Sequence, residues 1–276
     1  MAFLHKKQLQ FEAKPEKPDA LFAKKLQELI GGQYGEMTIF MQYLFQGWNT
    51  RGKHEKYKDL IMDTGSEEIG HVELLATMVA RLLDDAPVKE QEEAAKDPVI
   101  EAVLGGMNPQ HAIVSGMGAM PADSNGNRWT ADYIIASGNL MADFRANLTA
   151  ESQGRLQAVR LYEMTDDPGV KDMLSYLIAR DTQHQNQWIA ALQELQEEEG
   201  GLIVPTTAKE EWEAVGFAHQ LFNYSEGEAS KEGRWASGKG PDGKEFEYVD
   251  HPKIVGGPLE LEDTPSYIHN TPPKKK

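Results

Sequence analysis

The chain predicts an all-α domain, a four-helix bundle with one long crossover between its second and third helices, plus an extended C-terminal tail. Three observations carry this expectation. Four long segments repeat apolar residues at the alternating three-and-four spacing of a single helix face. The first pair of segments and the last pair are each joined by a few residues, whereas the stretch from Asp85 to Thr130 separates the second from the third. From about Ile203 the composition changes, and residues 223–276 are dense in Gly, Pro, Ser and charge. A segment so poor in apolar residues buries no core of its own. The expected organisation is residues 1–200 as a bundle with an N-terminal arm, and 201–276 as a tail that packs on neighbouring subunits.

The first helix is expected from about Ala20 to Thr50, with Asp19 as its N-cap and Pro18 before it. Its inward stripe reads Leu26, Leu29, Gln33, Glu36, Phe40, Tyr43 and Gly47. Gly31, Gly32 and Gly35 fall inside it, each costing ~1 kcal/mol relative to Ala in a helix interior. Either another backbone or a small-substrate passage comes close there, or the segment is two shorter helices. The second helix is expected from Glu55 to Asp84, its stripe being Tyr57, Leu60, Thr64, Glu68, His71, Leu75, Met78 and Leu82. The third runs from Ala131 to Thr165, capped by Thr130, with Leu140, Phe144, Leu148, Glu151, Arg155 and Tyr162 inward. The fourth begins at Asp167-Pro168, a cap followed by proline at the first helical position. Its stripe is Met173, Leu177, Asp181, His184, Trp188 and Leu192, and it ends near Gly200-Gly201. The crossover, rich in Pro, Gly, Asn and Asp, has room for one short helix near Pro98 to Leu104. Two hairpins of antiparallel neighbours joined by one long crossover have the connectivity of ferritin-like folds.

Composition excludes several functions. A net charge of −16 gives the wrong sign for binding nucleic acid, and an anionic membrane surface repels it as well. No apolar run approaches the ~20 residues a membrane span needs, and residues 1–14 lack a signal-peptide core. A cytoplasmic protein is therefore expected. There is no cysteine, which removes disulfides, thiolate nucleophiles and Cys-based metal sites together.

The chemistry lies in polar residues set on apolar stripes. Glu68 and His71 occupy i and i+3 on the second helix, and Asp181 and His184 repeat that spacing on the fourth. Glu36 and Glu151 stand singly on the first and third. Burying four carboxylates without compensation costs several kcal/mol per charge, and a pair of divalent cations supplies the missing charge. One Glu from each of two helices with Glu-x-x-His from each of the other two is the dinuclear carboxylate template. Asp181 departs from it by one methylene, so it either ligates or stands behind the ligands as an acid/base. The other six histidines (His5, His54, His111, His219, His251 and His269) sit in loops, helix ends or the tail, and are expected not to be ligands.

These residues, with their neighbours, resemble the manganese catalases. The matching segments are Gly-Gly-Gln-Tyr-Gly-Glu ending at Glu36, Glu-Glu-Ile-Gly-His ending at His71, Ser-Gly-Asn-Leu at 137–140, Tyr-Glu-Met-Thr-Asp at 162–166, and the surroundings of His184. The resemblance covers most of the chain. It implies two manganese ions per subunit, one held by Glu36 and His71, the other by Glu151 and His184, with Glu68 bridging. It implies hydrogen peroxide as substrate, disproportionated by cycling between Mn(II)₂ and Mn(III)₂. Asp181 stands where some members carry a second-shell Glu thought to handle protons. Tyr43 matches a tyrosine that hydrogen-bonds near the cluster, although as a bare residue it is equally a core residue. Members carrying Arg just before the third-helix Glu, or Lys seven residues after it, are matched here by Ala150 and Ala158. The resemblance further implies a homohexamer with wrapping tails and one calcium ion per subunit, at Asp59, Asp63, Asn223, Ser225 and Gly227. Carboxylate and imidazole ligands accept iron as readily as manganese, so a di-iron oxidase or peroxidase is the alternative, and a spore-coat or structural component with weak activity is the other.

Overall fold

The computed structural model describes residues 6–84, 109–262, 264, 265 and 268. The chain is mostly helical, with a small sheet near its C-terminal end. Its helices are α1 (Ala20–Leu26), α2 (Glu28–Gly31), α3 (Glu36–Asn49), α4 (Glu55–Leu82), α5 (Pro109–Ser115), α6 (Leu140–Glu163) and α7 (Pro168–Glu199). Residues through Thr207 form one compact unit, and those from Ala208 onward form a second.

Within the first unit, α3 packs along α4 and α6 along α7, while α3 meets α6 and α4 meets α7. Two apolar clusters hold these four helices together. One gathers Phe22, Leu26, Leu74, Leu75, Met78, Met173 and Leu177. The other gathers Ile39, Tyr43, Ile61, Phe144, Trp188 and Leu195. Each large apolar side chain removed from water contributes about 1.5–3 kcal/mol. The turns of α4 and α7 that carry Glu68 with His71 and Asp181 with His184 fall between the two clusters in sequence, so the polar site is bracketed by apolar packing. Gly65 lets α3 and α4 approach, because a Cβ there would lie 3.1 Å from that of Tyr43.

Helix ends follow local chemistry. Asp167 caps α7 through the amides of Gly169 and Val170, with Pro168 at the first position, and Gly200 ends it at φ +70°. Two expected helices are interrupted. The first divides into α1, α2 and α3, with Gly32 and Gly35 both extended. The glycines there are explained by close approach as well, since a Cβ at Gly31 would collide with the backbone of Ala122. The break shifts the helical phase: Gln33 is exposed rather than inward, and Ile39, Gln42 and Gln46 join Tyr43 inside. The third helix does not start at Ala131. Thr130 caps only a 3₁₀ turn, Ala131–Tyr133. The chain then runs extended through Ile134 and takes φ +80° at Gly138. Helix α6 begins after Asn139, whose side chain accepts from Ala142 N.

The expected short helix near Pro98 lies outside the described residues. In the second unit, β1 (Gln220–Asn223) pairs in parallel with β3 (Glu245–Asp250), and β2 (Gly238–Lys239) pairs antiparallel with β3, giving the order β1-β3-β2. This sheet is absent from the sequence reading. Its strands are short, and the parallel pairing joins Gln220 to Glu247 across a connection that carries no periodic signal.

Candidate metal centre

Four helices deliver the carboxylates and imidazoles to one place. Glu36 is the first residue of α3, following the cap at Gly35, where the helix dipole favours a carboxylate. Glu68 and His71 share a face of α4 by their i, i+3 spacing, as Asp181 and His184 do on α7. Glu151 comes from α6. Glu68, His71, Glu151 and His184 are fully buried, and Glu36 and Asp181 nearly so.

The geometry is nearly two-fold about Glu68. Its Oε2 lies 2.5 Å from His71 Nδ1 and its Oε1 lies 2.6 Å from His184 Nδ1. Glu36 Oε1 is 3.8 Å from His71 Nδ1, and Glu151 Oε1 is 3.5 Å from His184 Nδ1. Ligand atoms of Glu36, Glu68 and His71 fall within 4.8 Å of one another, as do those of Glu68, Glu151 and His184. The two imidazoles stack with centroids 6.0 Å apart. Buried polar atoms are normally hydrogen-bonded, yet both Glu68 oxygens, one oxygen each of Glu36 and Glu151, and all four ring nitrogens of His71 and His184 lack a hydrogen-bond partner. Oxygen and imidazole donors left unpartnered around a common centre suit divalent cations.

Electrostatics point the same way. Burial, then the charge of Glu68, pushes the Glu36 carboxyl up to about 8. Burial followed by the Glu68 charge also raises Glu151. Burial alone would lower His184, but Glu68, Glu151 and Glu67 together push it up to about 12. His71 is raised in the same way against its burial, chiefly by Glu68. Protons are thus drawn to positions that cations would neutralise.

A second carboxylate, Glu67, stands behind both imidazoles. Its Oε2 lies 3.3 Å from His184 Nε2 and its Oε1 3.6 Å from His71 Nε2. Arg180 on α7 clamps it, Nε donating at 2.5 Å and the terminal nitrogen at 3.2 Å. Burial would raise Glu67, but the two histidines and Arg180 hold it far below the usual carboxylate range. Neither residue was singled out from sequence. Glu67 adjoins Glu68 and lies about 100° off the inward stripe, while Arg180 sits 113 residues away. The one available signal was the doubled Glu before Ile-Gly-His.

Tyr43 donates its hydroxyl proton to Glu151 Oε1 in a short hydrogen bond, and Trp188 Nε1 donates to the Tyr43 hydroxyl at 3.1 Å. Tyr43 is therefore both core and wall of the site. Asp181 belongs to neither of the two close groups of three. Its burial, then the charges of Glu36, Glu151 and Glu68, raise it well above its ordinary value. Ala150 and Ala158 are both buried among apolar neighbours, so α6 brings no cation to the cluster from these positions.

The other expected site residues lie elsewhere. Asp59 and Asp63 are exposed one turn apart on α4. In the second unit, Asn223 Oδ1 accepts from the amide and hydroxyl of Ser225, whose hydroxyl also reaches Gly227 O. Among the described residues the close ligand groups include only His71 and His184 of the histidines. His219 and His251 pair with Asp242 and Asp250, and His111 with Gly118 O. His5 and His269 lie outside the described residues.

Comparison with known proteins places the chain in one family. All of residues 1–276 match the manganese-containing catalase family. The chain is 62% identical to a manganese catalase of Bacillus subtilis (strain 168), over 99% of this chain and all of that protein. It is 46% identical to a manganese catalase of Lactiplantibacillus plantarum, over 97% of this chain and 98% of that one. The crystal structure of KatB, a manganese catalase from Anabaena, superposes with a TM-score of 0.71 at 26% identity, covering 91% of this chain and all of that one.

Proposed function

The chain belongs to the family of manganese-containing catalases, and from that premise we propose how its own residues disproportionate two hydrogen peroxide molecules to two waters and dioxygen. The observation that carries the reading is Glu68, whose two oxygens face one histidine each while those oxygens, both imidazoles and one oxygen each of Glu36 and Glu151 stay unpartnered. Glu36 and His71 would hold one manganese, Glu151 and His184 the other, and Glu68 would bridge them, within a ferritin-like four-helix bundle. When bound, the metal pair supplies two-electron redox chemistry, alternating between Mn(II)₂ and Mn(III)₂.

The remaining residues position and protonate. Each imidazole presents Nδ1 to the metal side and Nε2 towards Glu67, so the Glu67 charge would orient both rings when they hold metal. Arg180 keeps Glu67 ionised and oriented. Tyr43 orients Glu151 and is itself oriented by Trp188. Trp188 packs on Tyr43 and Phe144 on Trp188, all three fully buried. Asp181, buried beside the cluster and raised above its ordinary value by burial and by its carboxylate neighbours, would give and recover the proton that oxygen–oxygen cleavage requires. The donor set would accept iron too; family membership selects manganese. Asp59, Asp63, Asn223, Ser225 and Gly227 offer the oxygens calcium prefers, and are proposed as ligands for one calcium ion per subunit in a homohexamer. No helix among the described residues is long and apolar enough to cross a membrane.

The test is oxygen release from hydrogen peroxide by manganese-loaded protein, with Glu151→Ala as control. The variant is expected to stay folded, lose one metal and lose nearly all turnover. Full turnover in Glu151→Ala would overturn the ligand assignment.

A further inference from the structure

A cavity with no residue of the metal centre in its wall lies in the first unit. About 300 Å³ in volume, it is lined by Lys24 and Lys25 of α1, Gln157, Arg160 and Leu161 of α6, with Glu28, Ser124, Asn125 and Met164 completing the wall. That size is at the lower end for small-molecule sites.

Its polar groups are unbalanced. Lys24 is only 6% exposed, and its Nζ has no hydrogen-bond partner. Among the described residues neither Lys24, Lys25 nor Arg160 forms an ion pair. The carboxylate in the wall, Glu28, is already engaged, since its Oε2 accepts from the amide and hydroxyl of Ser124. Three cations, of which Arg160 is exposed, thus share the wall with one carboxylate whose Oε2 is taken by Ser124, on a chain whose net charge is −16. Gln157 Oε1, in the same wall, is buried and accepts nothing. Leu161 and Met164 provide an apolar side. A buried ammonium without a partner is costly, and a lone buried carbonyl oxygen is rare. Both deficits are removed by one ligand that brings an anion to the lysine and a hydrogen-bond donor to the glutamine.

We propose that this cavity binds a small hydroxycarboxylate, its carboxylate on Lys24 and Arg160 and its hydroxyl donating to Gln157 Oε1. Burial lowers the Lys24 pKa, and a bound anion would oppose that shift and favour the charged form.

Calorimetric titration of the manganese-loaded full chain with sodium L-lactate tests this, with sodium acetate and inorganic phosphate as comparison probes. Saturable lactate binding at one per chain is expected. Lys24→Met should weaken it roughly tenfold or more, by loss of a charge-assisted contact. Gln157→Leu should bring lactate down to the level of acetate. Oxygen release without lactate should be unchanged in both variants, which also shows that they fold. The proposal is overturned if lactate shows no saturable binding at millimolar concentration, if Lys24→Met binds it as well as the parent, or if phosphate binds more tightly than lactate.

Discussion

Replacing Glu67 by Gln separates a structural carboxylate from one that tunes the metal centre. Glu67 touches no proposed metal position, yet it faces Nε2 of both histidines at 3.3 and 3.6 Å. Gln is isosteric and uncharged, and its amide must turn a donor towards one imidazole and one Arg180 nitrogen together. One ring would then lose its acceptor, and the ligand basicity that the carboxylate confers on both rings would fall. Loss of such an outer partner typically costs 10–100-fold in metal affinity or activity, equivalent to about 1.4–2.7 kcal/mol. The stability effect should be far smaller. The Arg180 and Glu67 side chains remain 34% and 25% exposed, so their pairing contributes about 1 kcal/mol at most after solvent screening. Manganese affinity is measured by competition with a chelating dye, turnover by oxygen release, and folding by urea denaturation. The expected pattern is a ten- to hundred-fold loss in affinity or turnover with the urea midpoint nearly unchanged. Arg180→Gln, which leaves the carboxylate in place but unclamped, should have a smaller effect. Unchanged affinity and turnover in Glu67→Gln would refute the positioning role. A loss confined to stability would reduce the residue to an ion-pair partner.

Three further outcomes are expected. Asp181→Ala should retain both metals by elemental analysis while turnover falls by roughly 10²-fold, the usual scale for a missing acid/base; loss of a metal would make Asp181 a ligand instead. Manganese affinity should rise with pH, because without metal the proton is held on Glu36 up to about 8 and on His184 up to about 12, and each must leave before a cation binds. The Glu36 contribution should end near pH 8 and that of His184 should persist above it, so an affinity flat from about pH 6 to 8 would contradict the shifts. Gly31→Ala should lower the urea midpoint by the equivalent of about 1–3 kcal/mol through overpacking, since its Cβ meets the rigid backbone of Ala122 rather than a movable side chain; an unchanged midpoint would show that this contact relaxes freely.

The buried cluster of acids and histidines was legible from sequence because face-sharing is a local property. Glu68 with His71, and Asp181 with His184, share a helix face by spacing alone, and a polar residue on an apolar stripe shows itself without any tertiary knowledge. The helix ends at Asp167-Pro168 and Gly200 were legible for the same reason, since a cap is written in its own few residues. What tertiary structure decided is non-local. The break at Gly32–Gly35 and the close approach of Ala122 to Gly31 depend on a segment some ninety residues later in the chain, and only that break puts Ile39 rather than Gln33 inside. The delayed start of α6 sets Gln46 to donate to Ile135 O and Ile135 N to donate to Gln42. These contacts hold extended a stretch whose periodicity alone reads as helix. The parallel pairing of β1 with β3 leaves no short-range trace. Glu67 illustrates the limit best: from sequence it is one more solvated acid beside a ligand, and only the packing of α4 against α7 sets Arg180 on one side of it and two imidazoles on the other.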